Sequence, residues 1–118
     1  MKQDKLHSNI ALDIQFRHMP KSKALSQITL QQLDAFEAFA SRGSRCAVVF
    51  DQSHSSKVYY QVAIRFHIPG QPLYVTHHSE FGGSKELLFS MLNDAFYDIR
   101  RQLRKNRTRR HGYRRMPV

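Results

Sequence analysis

The sequence predicts an α+β fold: element order β-α-β-β-β-α, with a four-stranded sheet and two helices packed on one face. Three observations predict it. Segments 22–40 and 84–105 repeat apolar residues at helical spacing, while 10–16, 46–50, 58–68 and 73–77 alternate apolar and polar residues with period two. Three of the four strands run together and the helices stand apart from them, which argues for α+β over an alternating α/β sheet. The chain has 118 residues, 41% of them hydrophobic, with one cysteine, so a single domain must build its core by packing and not by disulfides.

The first strand is read from Ile10, Leu12, Ile14 and Phe16, which alternate with polar neighbours. Arg17-His18-Met19-Pro20 ends it, because proline cannot continue a ladder. Ser22 suits the N-cap of a helix running to about Ala40. On that helix Leu25, Ile28, Leu33, Phe36, Phe39 and Ala40 fall within about 140°, a core-facing stripe. Gly43 suits the left-handed residue that follows a helix. Cys46, Val48 and Phe50 mark a second strand, and Asp51–Ser56 reads as a polar hairpin connection. Val58, Tyr60, Val62, Ile64, Phe66 and Ile68 give the clearest strand, followed by Pro69-Gly70 at the centre of a type II turn. Leu73, Val75 and His77 continue as a fourth strand, with Tyr74 and Thr76 on its other side. Ser84 caps the second helix, whose apolar side is Leu88, Met91, Leu92, Ala95, Phe96, Ile99 and Leu103. A crossover through the first helix allows one parallel strand pair.

The domain is therefore expected over 10–105, after a flexible polar N-terminus (1–9) and before a disordered basic tail (106–118). No window is apolar enough for a membrane span, and the N-terminus has no apolar signal region, so a reducing cytoplasm is the expected location.

Charge is distributed unevenly. Residues 1–99 hold ten basic and nine acidic groups, and residues 100–118 hold nine basic groups and no acid. A nearly neutral body with a polycationic end points to a polyanionic partner, nucleic acid first. Helical spacing puts Arg100, Arg101, Arg104 and Lys105 on one side, away from Phe96, Ile99 and Leu103. Tyr97, one turn before Arg101, offers a stacking surface. A solvated helix end whose cations favour the helix dipole accounts for one or two charges, not nine in nineteen residues. Arg107 and the arginines after it add phosphate affinity, or serve only solubility. Arg17, Lys21, Lys23 and Lys85 are secondary RNA-binding candidates, each otherwise an ordinary surface charge.

Other chemistries lack support. Seven histidines and one cysteine show no metal-ligand spacing, and His77 and His78 would point to opposite faces of a strand. Asp94 and Asp98 lie one turn apart, but the arginines downstream suggest charge pairing and not acid–base work. Gly82-Gly83-Ser84 reads as the start of a helix and not as a phosphate loop. No catalytic residue, metal or cofactor is expected, and the protein is not expected to be an enzyme.

Three stretches carry a family resemblance: Leu12-Asp13-Ile14-Gln15-Phe16-Arg17-His18-Met19-Pro20, then Tyr59-Tyr60-Gln61-Val62-Ala63-Ile64 leading to Ile68-Pro69-Gly70, and Asp94-Ala95-Phe96-Tyr97-Asp98-Ile99-Arg100-Arg101-Gln102-Leu103-Arg104-Lys105. In order and spacing the chain resembles the ribosome hibernation-promoting factor family, which includes the ribosome-associated inhibitor protein Y, over about residues 10–110. The first helix departs from the family's lysine-rich pattern, reading Gln27, Gln31, Gln32, Asp34 and Glu37 after Lys23. The resemblance implies a fold like that of double-stranded RNA-binding domains. It implies binding to the small ribosomal subunit and its 16S rRNA, in the channel used by messenger RNA and tRNA, with which the protein would compete. Translation would be blocked, and idle ribosomes protected, in starved or resting bacteria. It also implies a short form without the second domain that pairs ribosomes, monomeric off the ribosome and with no membrane partner. Two other readings remain: a general double-stranded RNA or DNA binder without ribosome specificity, and a protein-interaction adaptor with a basic tail.

Overall fold

The computed structural model describes residues 9–54, 58–82 and 84–115, with His54 and residues 107–115 as backbone only. Its elements are β1 (Ile10–Arg17), α1 (Lys23–Asp34), β2 (Ser44–His54), β3 (Val58–His67), β4 (Tyr74–Phe81) and α2 (Glu86–Arg115). The sheet order is β1-β2-β3-β4. β1 and β2 are parallel, with α1 as their crossover, and the other two pairs are antiparallel. The fold is α+β with the predicted element order.

Period-two alternation decides which sheet face is closed. Val48, Phe50, Val62, Ile64 and Phe66 point to one side, where they are buried with Leu88, Met91, Leu92, Ala95, Phe96 and Ile99 of α2. α1 adds Leu25 and Leu33, and just beyond its end Phe36 completes the core. The Phe36 ring lies 5.5 Å from that of Phe66 and 5.7 Å from that of Phe96, joining sheet and both helical segments in one cluster. Ser22 Oγ accepts from the Leu25 amide and Ser84 Oγ from the Glu86 amide, each at 3.2 Å, so both predicted caps form. Gly43 and Gly70 take positive φ (94° and 82°), and the Gln71 amide donates to the Ile68 carbonyl at 3.0 Å to close the type II turn.

The structure departs from the expectation at four places. α1 ends at Asp34 instead of Ala40. Beyond it the amides of Phe36, Glu37 and Phe39 donate to the carbonyls three residues earlier, a tighter winding than the α-helix. This segment is held across the start of β1, where the Asn9 amide donates to Glu37 Oε1 and Asn9 Nδ2 to the Ala40 carbonyl. Phe36 and Ala40 stay buried, but the change in winding turns Phe39 out to 45% exposure. Ile28 is only half-buried. Second, β2 extends beyond 46–50 at both ends, and Asp51–His54 pair with β3 instead of forming the connection; residues 55–57 lie outside the described chain.

Third, β4 runs Tyr74–Phe81 instead of 73–77; its two sides alternate as expected, with Tyr74, Thr76 and His78 toward the helices and Leu73 and Val75 exposed on the open face. Polar contacts fix that register. Tyr74 Oη donates to Gln71 Oε1, and Thr76 and His78 both reach Asp98 of α2. Fourth, the helical backbone of α2 passes the expected end at Lys105 and continues to Arg115. Five of the ten residues 106–115 are arginine, a good helix former, and no proline intervenes before Pro117. Residues 1–8 and 116–118, at the two expected flexible ends, lie outside the described residues.

Candidate nucleic-acid interface

At 100° per residue, Arg100, Arg104, Tyr97, Arg101 and Lys105 occupy successive positions on an arc of about 140° on α2. The buried stripe of Leu88, Leu92, Ala95, Ile99 and Leu103 fixes the rotation of the helix, so this arc must face outward. Tyr97, Arg101, Arg104 and Lys105 are exposed.

Arg100 borders α1. Its guanidinium carbon lies 5.6 Å from the Phe36 ring centroid, and Nη2 donates to Gln32 Oε1 at 3.4 Å. Gln32 in turn donates to Asn93 Oδ1 at 2.5 Å, so one side chain of α1 ties two positions of α2. At the other border Asp98 faces β4. Partial burial pushes its carboxyl up. The hydrogen bonds from His78 (2.7 Å) and Thr76 (3.0 Å), with the charges of His78 and Arg101, outweigh that and hold it below the ordinary carboxylate value. Gln102 then donates to the Val75 carbonyl at 2.8 Å, covering part of the β4 edge.

The ion pairs among the described residues are His18–Asp51 and His78–Asp98, and among those residues no carboxylate lies within 4 Å of Arg100, Arg101, Arg104 or Lys105. Asp98 does feel the charge of Arg101, as its position one turn upstream suggested, but its direct contact is with His78 across to the sheet. The side chain of Arg107 lies outside the described residues, although its backbone continues the helix.

The secondary candidates gather elsewhere. α1 and α2 both run opposite to β1, so their N-termini lie at the same end as the C-terminus of β1. Lys21, Lys23 and Lys85 are exposed at that end, together with Arg17, whose Nη2 reaches Gln15 Oε1 on the open sheet face. Sixteen residues of helix separate Lys85 from Arg101, about 24 Å. The predicted cations thus form two groups, not one continuous surface.

The sequence reading singled out neither Phe39, beside Arg100 and Arg104, nor Arg45 and Arg65, exposed on the open sheet face. Their alternation with Cys46 and Phe66 carried the signal for the two arginines, whereas helical spacing pointed Phe39 the wrong way. His77 bonds Gln61 on the open face and His78 bonds Asp98 on the other, as strand alternation requires. No group of three metal-ligating side chains occurs among the described residues. Cys46 is buried, its thiol pushed up to about 12 by loss of solvent, so it is a packed apolar side chain and not a nucleophile. No helix among the described residues is long and apolar enough to cross a membrane.

A family model described as sigma 54 modulation protein / S30EA ribosomal protein matches residues 12–111. The fold is similar to the protein Y N-terminal domain of Thermus thermophilus, with TM-score 0.62 and 13% identity, covering 82% of this chain and 97% of that one. It is also similar to a ribosomal subunit interface protein from Coxiella burnetii, with TM-score 0.57, 13% identity and the same coverages, 82% and 97%. No curated protein sequence matches the chain.

Proposed function

The chain belongs to the sigma 54 modulation protein / S30EA ribosomal protein family, and from that membership we propose that it binds the small ribosomal subunit and inhibits translation by occupying the channel of messenger RNA and tRNA. The observation that carries this reading is the open cationic row of α2: Arg101, Arg104 and Lys105 beside exposed Tyr97, with no carboxylate among the described residues within ion-pair distance. A folded RNA presents closely spaced phosphates, and each one neutralised by an arginine or lysine releases condensed counterions. Arginine forks two donors onto a phosphate, and tyrosine offers a face to an unstacked base.

The nearly neutral sheet and helices act as the body that fills the channel. No bond is made or broken; inhibition is exclusion. Lys21, Lys23, Lys85 and Arg17 form a second phosphate-contacting group at the far end of the helices, which suits a protein wedged between separated segments of 16S rRNA. The setting is the cytoplasm of a bacterium in stress or stationary phase, with the protein monomeric off the ribosome. Co-sedimentation with purified small subunits tests the reading. Binding is expected, with displacement by messenger RNA plus initiator tRNA added together. Equal binding with and without those competitors would contradict occupancy of the channel.

A further inference from the structure

Where the end of α1 meets α2, the surface holds a small notch of about 180 Å³ lined by Ala35, Phe39, Arg100, Leu103 and Arg104. Its composition is unusual for a protein surface. Phe39 is 45% exposed, on a turn that follows α1, although its spacing from Leu25 and Phe36 would have buried it in a continued helix. Ala35 and Leu103 add apolar surface, and two guanidinium groups belong to the same wall. One of them is held in place: Arg100 lies over the Phe36 ring and bonds Gln32, which leaves further N–H donors for a ligand. Arg104 is exposed, and no carboxylate among the described residues lies within 4 Å of either arginine.

An aromatic face and short aliphatic walls suit a flat apolar surface. Two guanidiniums one helical turn apart, neither ion-paired among the described residues, suit an anion attached to it. A duplex cannot enter a recess of this size, since its bases are stacked and paired inside it. A single nucleotide turned out of its stack presents both parts at once, a planar base and its flanking phosphates. We propose that this notch takes one unstacked RNA nucleotide, its base against Phe39 and its phosphates on Arg100 and Arg104. The inference rests on the RNA-binding reading above and adds a distinct contact to it: the α2 row grips phosphates wherever they lie, while the notch selects an unpaired position.

The test uses the full chain and a short single-stranded RNA oligonucleotide carrying one 2-aminopurine, whose fluorescence is quenched on stacking. Wild type is expected to quench it. Phe39→Leu keeps an apolar side chain but no ring. It is expected to lose the quench and to bind the oligonucleotide about 5- to 150-fold more weakly, with its melting transition showing that the chain is still folded. Phe39→Tyr is expected to retain both. Arg101→Glu with Lys105→Glu, outside the notch, is compared on purified small subunits. No quench by wild type, or equal quench and affinity in Phe39→Leu, overturns the notch, and if the charge reversal still weakens subunit binding the RNA reading survives without it. Unchanged subunit binding after charge reversal overturns the phosphate row, and together with no quench by wild type it overturns both.

Discussion

Asp98 joins the sheet to the edge of the cationic row, and its carboxylate works only while it is ionised. Its value in the folded chain lies below that of an ordinary carboxylate: burial opposes ionisation, but the His78 and Thr76 hydrogen bonds and the nearby charges of His78 and Arg101 favour it more. A carboxyl depressed on folding contributes stability that is fully present above its unfolded pKa, about 3.9, and lost as pH falls through the folded value. Asp98→Asn should therefore lower the unfolding free energy by about 1 kcal/mol at pH 7, read by urea denaturation, and the difference should close in acid below pH 4. A gap that stayed constant to pH 3 would mean that the charge plays no part. None of this contact is visible along the chain. Asp98 and His78 are twenty residues apart, and the near sequence neighbours of Asp98, Arg101 and Asp94, suggested other pairings.

At the scale of elements, what was legible tracks how much of an element's pattern comes from burial on one face. β3 alternates over its whole length because both of its edges are paired and one of its faces meets both helices, so its bounds could be read directly. β4 is an edge strand. Its apolar Leu73 and Val75 are exposed while Tyr74 is buried, so its alternation was legible but hydrophobicity alone does not tell which side meets the helices. The end of α1 misled for a related reason. Phe36, Phe39 and Ala40 keep a helical spacing, but the clamp from Asn9 is a long-range contact with no local signature, and it decides how the segment winds. Phe36 is where that segment commits to the core, packed between Phe66 and Phe96. Phe36→Ala should cost about 3–5 kcal/mol in chemical denaturation, since it leaves a cavity at the junction of both helical segments with the sheet. A loss under 1 kcal/mol would show that the three layers do not share this anchor. The variant should also release Arg100 from the ring on which it rests.

Taken whole, the molecule separates its two tasks by sequence. Residues 1–99 carry ten bases against nine acids and supply the sheet and most of the helices, while 100–118 carry nine bases and, as far as Arg115, continue the last helix along its axis. That division was legible from charge counting, because lysines and arginines stay in solvent whatever the fold does around them. The partition of the cations into two groups about 24 Å apart was not, since it depends on the two helices running parallel. The central claim is that the exposed row of α2 holds RNA by its phosphates, and the salt dependence of binding to purified small subunits tests it most directly. The affinity should fall steeply and linearly on a log–log plot against salt. Arg101→Gln, Arg104→Gln and Lys105→Gln together should weaken binding and flatten that slope by about 3, one for each lost phosphate contact. A triple variant with the wild-type slope and affinity would contradict the account.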